Sequence, residues 1–170
     1  MREILFRGKR EDNGELVQGH YHNTTYVGYP NGGDNKITRH YILPKNAGDA
    51  HVVIAETVGQ FTGLTDKNGK KIFEGDIVKC RHRLVKFYLD DIEKANPRRS
   101  YGKEIVETDS YGFSCFYWRN YAVSFYDGCI RVQNGSDHHE IRTNYINNHK
   151  IEVIGNIHDN PELLGVAADG

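Results

Sequence analysis

Nine histidines are the first residues of this chain that could do chemistry. His20 and His22 stand two apart, so in a strand both project to one face and can share a cation. They are the candidate metal ligands. His138 and His139 are neighbours and point apart in a strand, while His40 and His158-Asp159 can join a site only through the tertiary fold. A surface histidine satisfied by solvent or a hydrogen bond is the simpler reading of each. For covalent catalysis, Cys80 precedes His82 by two residues and Ser114 precedes Cys115. Neither pair lies in a nucleophile motif, and a buried thiol is usually inert packing. Asp90, Asp91 and Glu93 adjoin Lys94 and read as a solvated face. No catalytic residue and no cofactor is assigned.

Two further patterns concern phosphates and bases. Gly69-Lys70 has the Gly-Lys of a phosphate-binding loop, but Leu64 stands where its first Gly is needed and Lys71 where Ser or Thr is needed. A hairpin turn explains the string better. Phe113, Phe116, Tyr117, Trp118, Tyr121 and Tyr126 lie near Arg119 and Arg131, and exposed aromatics with Arg can stack bases. Tyr117, Trp118, Arg119 and Arg131 are therefore the candidate binding surface. Against a nucleic-acid role stands the charge: 22 Lys+Arg against 23 Asp+Glu, with no basic excess for counterion release.

The elements that position these residues are strands. Fifty-three residues are Ile, Val, Tyr, Phe, Trp or Thr, and only sixteen are Ala, Leu or Met. Branched and aromatic side chains suit a pleated surface, whereas Ala and Leu lose least in a helix. The expected class is mainly β: antiparallel hairpins in a meander, closing into small barrel-like sheets of SH3-like kind, with one or two short helices. Asn-Gly and Asp-Gly pairs at residues 13, 31, 68, 127 and 134 mark the turns. The spacing predicts strands around residues 4–6, 16–17, 25–27, 37–43, 51–58, 104–108, 113–118 and 151–158. It leaves residues 84–96 open between helix and strand, followed by an exposed loop at 97–102. Asn160-Pro161-Glu162 predicts a helix start, with Asn as the cap and Pro at the first position.

The sharpest local expectation is a hairpin over residues 121–133. With Asp127-Gly128 as a two-residue loop, Tyr126 faces Cys129, Phe125 faces Ile130 and Val123 faces Val132. Tyr121, Val123, Phe125, Ile130 and Val132 then share one apolar face, and a one-residue slip would expose all five. For domains, the expectation is an N-terminal hairpin region over 1–60, a barrel-like core over 61–165 and a tail over 166–170, with one continuous domain over 1–165 as the alternative. Three cysteines without a C-x-x-C spacing fit a reduced compartment. A charged start and apolar runs of about four residues fit a cytoplasmic chain without a membrane segment.

Three strings resemble one family. They are Met1-Arg2-Glu3-Ile4-Leu5-Phe6-Arg7-Gly8; residues 61–78, from Phe61-Thr62-Gly63-Leu64-Thr65-Asp66 through Gly75-Asp76-Ile77-Val78; and residues 151–164, from Ile151-Glu152-Val153 through Pro161-Glu162-Leu163-Leu164. In order and spacing they resemble the YopX proteins of phages and prophages. The resemblance implies a predominantly β protein encoded by a phage or prophage. It carries over no activity, cofactor or catalytic residue. The expectation is a non-enzymatic accessory module that binds a host or phage protein and is able to form homo-oligomers. Two alternatives stand beside it: a small barrel binding single-stranded nucleic acid, and a cryptic metal-dependent enzyme.

Overall fold

The structure, a computed structural model, describes residues 3–28, 35–45, 48–85, 107–108 and 114–165 of the chain. It divides into two compact units, one of residues 1–64 with 71–75, the other of residues 65–70 with 76–170.

The first unit is an antiparallel sheet. It contains β1 (Phe6–Lys9), β2 (Leu16–Gly28), β3 (Asn35–Pro44), β4 (His51–Val53), β5 (Gly59–Thr65) and β6 (Lys71–Phe73), in the order β4-β3-β2-β1-β5-β6. The expected strand at 51–58 stops at Val53, because residues 55–57 turn into a 3-10 helix. Thr57 closes that turn, its hydroxyl donating to the Ile54 carbonyl and accepting from the Lys9 amide. Leu5, Phe61 and Phe73 pack together, the two Phe rings 5.5 Å apart.

The second unit holds β7 (Asp76–Val85), β8 (Glu107–Thr108), β9 (Ser114–Tyr126), β10 (Cys129–Asn134), β11 (Asp137–Glu140), the helix α1 (Thr143–His149) and β12 (Glu152–Asn156). Its sheet runs β11-β10-β9-β7-β12, and β8 also pairs with β9. The hairpin forms in the expected register: Tyr126 with Cys129, Phe125 with Ile130, Val123 with Val132. Asp127 and Gly128 take φ of 53° and 76°, as a type I′ turn requires. Tyr121, Val123 and Val132 are buried, while Phe125 and Ile130, nearer the tip, are half-buried.

Both sheets are open, which corrects the expected barrels of SH3-like kind. In the first, β4 does curl back to the end of β1: Ile54 N–H donates to Lys9 O and Glu11 N–H to Val52 O. The contact is a single bridge, Arg10 with Val53, because the 3-10 turn ends β4 after three residues. A ladder that short cannot seal a barrel, and the sheet ends on β4 and β6. In the second, β11 and β12 end the sheet without pairing to each other among the described residues.

One α-helix stands among the described residues, at 143–149, a stretch with no helical pattern of its own. The 3-10 turn at Pro161–Leu164 begins where expected, but Asn160 makes no side-chain cap. The final strand ends at Asn156, two residues short of the expected end, and carries a bulge between Val153 and Gly155. Residues 84–85 extend β7; the rest of the open stretch 84–96, the loop 97–102, the turn at Asn31-Gly32 and the tail 166–170 lie outside the described residues.

Candidate functional site

Two places gather residues that can act. The first is the inner face of the second unit's sheet. Alternation along β7 sends Val78, Cys80 and His82 to one face, and the register Val78 with Tyr121 and Cys80 with Arg119 puts those β9 residues beside them. On β11, opposite Val132 and Asn134, the same face receives His139 and Asp137. The helix α1 adds Tyr145 and His149, four residues apart and so on one side of it. Ile146 is buried and anchors the helix.

The result is a knot of rings around His82. Its ring centroid lies 5.2 Å from that of His139, 5.3 Å from that of His149 and 5.4 Å from that of Tyr121. Tyr145 stacks on His149 at 3.9 Å and lies 6.0 Å from His139. The His149 Nδ1–H donates to the Arg81 carbonyl at 2.7 Å, which places Nε2 as the ring's acceptor when neutral. Asp137 closes the edge of the knot. Its Oδ2 accepts from Arg119 at 2.6 Å and from the Tyr121 hydroxyl at 2.9 Å, and its Oδ1 lies 3.1 Å from His139 Nε2. Burial opposes ionisation of Asp137, but the Tyr121 hydroxyl and the charges of Arg119, His139 and His82 outweigh it and hold the carboxyl below its ordinary range. Burial alone pushes the Cys80 thiol up to about 12, so it is no nucleophile at neutral pH. Among the described residues no three His, Cys, Asp or Glu side chains are placed to hold a metal ion.

The second place is the ribbon of β2 and β3 in the first unit. Ten consecutive pairs join it, from Gly19 with Pro44 to Gly28 with Asn35. β1 accompanies β2 only over residues 16–19, and β4 accompanies β3 only over residues 40–42. The distal half, from Asn23 with His40 outwards, has no other strand beside its Thr24–Gly28 and Asn35–Arg39 stretches among the described residues. One face of the ribbon carries Leu16, His20, His22, Thr24 and Tyr26 on β2 and Ile37, Arg39, Tyr41 and Leu43 on β3. Leu16 is 46% exposed, Leu43 42%, Tyr26 52% and Ile37 55%. Tyr26 and Ile37 are a cross-strand pair, and with Arg39 they line a shallow cavity of about 280 Å³. A hydrogen bond with Tyr41 raises the Tyr26 hydroxyl's pKa.

The residues singled out in the sequence are distributed differently. His20 and His22 do share a face, the exposed face of the ribbon, where His22 stacks on Tyr41 at 5.0 Å. Trp118 and Arg119 fall on opposite faces of β9: Arg119 joins Asp137, and Trp118 lies under Lys79 at 5.1 Å and Lys67 at 5.8 Å. Arg131 sits 4.3 Å over the Tyr126 ring at the hairpin tip. The Tyr117 side chain is outside what is described. Sequence reasoning named His82 and His139 but did not unite them, and it missed Asp137, Tyr145 and His149. The signal available was strand alternation, which puts His139 with Asp137; the β11 and α1 assignments needed to use it were lacking.

The string at 62–78 resolves into structure. The Thr62 hydroxyl donates to Ile72 O at 2.7 Å. Asp66 is buried, its Oδ1 accepting from the Asn68 and Lys70 amides and its Oδ2 from the Val153 amide. At residue 155 an added Cβ would lie 2.6 Å from Asn160 Oδ1 and 3.0 Å from Leu163 Cδ1, so both side chains would have to shift to admit one.

No curated protein matches the chain. Among solved structures, protein EF1440 from Enterococcus faecalis is similar at 22% identity and a TM-score of 0.45, over 96% of this chain and 99% of that one. The family model of the YopX protein matches residues 5–165, which takes in residues 61–78 and 151–164 whole and the first string from Leu5 onwards. The chain belongs to the YopX family.

Proposed function

We propose that this is a phage- or prophage-encoded accessory module of the bacterial cytoplasm, without catalytic activity of its own, that binds a protein partner through the exposed face of the β2–β3 ribbon. The observation that carries the reading is the pair Tyr26 and Ile37, both more than half exposed at the part of the ribbon that no other described strand supports. An isolated two-stranded ribbon is marginal in water, and apolar side chains on it gain only when something covers them. Aromatic and aliphatic side chains around one Arg are the composition of an interface core. Nucleic acid fits this face less well, because among the described residues of β2 and β3 Arg39 is its one formal cation, and Leu16, Ile37 and Leu43 offer phosphates nothing. β2 and β3 contain Lys36 and Arg39 and no acid. The partner is therefore an apolar strip rimmed by carboxylates. A second copy would bring Arg39 against a face that lacks carboxylates.

The test compares the wild-type chain with Tyr26→Ser/Ile37→Ser as baits in phage-infected cells, and then measures binding to the purified partner by calorimetry at two salt concentrations. A partner bound at least tenfold more weakly by the double variant, with its binding weakened by salt and the thermal midpoint unchanged, supports the reading. Equal binding by both chains overturns it. So does sedimentation of the wild-type chain alone as a dimer that the double variant dissolves, which would make the occupant a second copy.

A further inference from the structure

Asn-Gly pairs are chemically unstable unless the fold holds them, because the backbone nitrogen of a glycine has no side chain to keep it from the Cγ of the asparagine before it. Three such pairs lie among the described residues: Asn13-Gly14, Asn68-Gly69 and Asn134-Gly135. In each the Gly takes a positive φ. Two of the pairs are guarded. The Asn13 carboxamide is bonded at both ends to Glu15, its Nδ2 donating to Oε2 at 3.1 Å and its Oδ1 accepting the backbone N–H at 3.0 Å. Asn134 is half-buried, and its Nδ2 donates to the Asn120 carbonyl at 2.9 Å and to the Leu164 carbonyl at 3.2 Å. Asn68 is exposed, and among the described residues its carboxamide has no hydrogen-bond partner. A Cβ added to Gly69 would meet nothing within 4 Å, so the space that ring closure needs is open. The Gly69 N–H donates to Asp66 O at 3.0 Å, and at so exposed a turn water can take the place of that acceptor.

We propose that Asn68-Gly69 is a site of self-modification: Asn68 passes through a succinimide to aspartate and isoaspartate, while Asn13 and Asn134 stay intact. The Gly69 amide gives up its proton to solvent base, its nitrogen bonds to Asn68 Cγ, and the Cγ–Nδ2 bond breaks with ammonia as the leaving group. Water then opens the ring. Addition at Cγ gives aspartate; addition at the backbone carbonyl gives isoaspartate, whose main chain runs through Cγ. No oxidant or reductant takes part. The product changes more than the turn. Asp66 Oδ1 accepts from the Asn68 and Lys70 amides at 2.8 and 2.9 Å, and the Asp66 amide donates to the Lys70 carbonyl at 2.8 Å. An isoaspartate at 68 lengthens the main chain by one methylene between those two amides, so a single oxygen no longer meets both. It also sets a second carboxylate two residues from that of buried Asp66. The other oxygen of Asp66 holds the Val153 amide at 3.0 Å, so modification at 68 weakens the hold on β12. The site belongs to the second unit and stands whether or not the ribbon of the first binds a protein.

The test ages the whole chain at pH 8.5 and 37 °C, both native and in guanidinium chloride. Samples are stopped in acid, digested with pepsin and read by mass spectrometry, with the isoaspartyl and aspartyl peptides separated. The denatured chain gives the unguarded rate of each pair. Folding slows Asn13 and Asn134 at least tenfold and Asn68 less than threefold. By Trp118 fluorescence, the aged native chain gains a fraction with a lower urea midpoint, in proportion to the isoaspartate at 68. The variant Asn68→Gln, whose longer side chain closes a ring far more slowly, gains none. Folding that slows Asn68 as much as Asn134 overturns the proposal. So does a native rate at Asn13 or Asn134 equal to that at Asn68, or a urea midpoint that holds after Asn68 has converted.

Discussion

Replacing Asp66 by Ala is the perturbation whose cost can be worked from the structure most directly. The carboxylate is 5% exposed and accepts three backbone amides: Asn68 at 2.8 Å and Lys70 at 2.9 Å on Oδ1, Val153 at 3.0 Å on Oδ2. The first two amides belong to an exposed turn, so water replaces the lost acceptor and each loss costs roughly 0.5–1 kcal/mol. The Val153 amide lies across the unit at a buried position, and stripping it of its acceptor costs about 1–3 kcal/mol. The sum is about 2–5 kcal/mol, a shift of about 4–20 °C for a chain of this size. Asp66→Asn keeps an oxygen for the turn but turns an NH₂ towards the Val153 amide, so its cost falls between wild type and Ala. The chain has one Trp, Trp118, whose ring lies 5.8 Å from Lys67 Nζ beside this turn. Urea unfolding followed by its fluorescence therefore reports on the unit that Asp66 holds. An Asp66→Ala chain within 0.5 kcal/mol of wild type would refute the reasoning, because three charge-assisted bonds cannot vanish from a buried site at so little cost.

The remaining predictions concern titration, a close approach and the ribbon. The Cys80 thiol, raised by burial to about 12, has its stabilising effect whole below the unfolded thiol's value near 8.5 and loses it as the pH rises towards 12. In a Cys115→Ser background at pH 8, a thiol reagent then modifies Cys129 in the native chain and reaches Cys80 only in denaturant; fast native modification of Cys80 would contradict its burial. Asp137, held below its ordinary range, contributes stability that is present above about pH 4 and lost as the pH falls through its folded value. Asp137→Asn flattens the acid limb of the urea midpoint against pH, and an unchanged limb would remove Asp137 from the network. Gly155→Ala pushes a methyl group against Asn160 and Leu163 and costs about 1–3 kcal/mol in the same fluorescence assay. Tyr26→Ser/Ile37→Ser leaves the thermal midpoint within about 2 °C, since both side chains are exposed; a larger fall means that the ribbon is part of a core.

What could be read from the sequence depended on how far apart the interacting residues are. The hairpin around Asp127-Gly128 was legible to the residue, because its loop supplies the positive φ angles and its alternation fixes the face. Barrel closure was not legible: it turns on whether β4 runs long enough to pair, and the 3-10 turn that stops it is closed by Thr57 meeting Lys9, 48 residues away. The helix α1 contradicts its own residue preferences. Thr143, Asn144 and Asn147 are poor helix formers, and the turn exists because Ile146 and the rings of Tyr145 and His149 find a place on the sheet. The histidine knot was hidden for the same reason, its members lying on β7, β11 and α1.

The strings that carry the family resemblance show the opposite case. Residues 1–8 and 61–78 meet in the first unit, where Phe61 N–H donates to Leu5 O, the Arg7 guanidinium lies 4.7 Å from the centre of the Phe73 ring, and Lys71 pairs with Glu3 at 3.0 Å. Residues 61–78 and 151–164 meet in the second, where Val153 N–H reaches Asp66 and Lys67 N–H donates to Ile151 O. Three strings far apart in sequence are thus three sides of two clasps, and what they specify is how the chain is tied. Neither the exposed ribbon face nor most of the histidine knot lies in them; Tyr26, Ile37, Tyr121, His139 and His149 come from the stretches between. A chain can keep these clasps while the face between them changes its partner. Variants of the clasps should therefore lose stability, and variants of the ribbon face only what it binds.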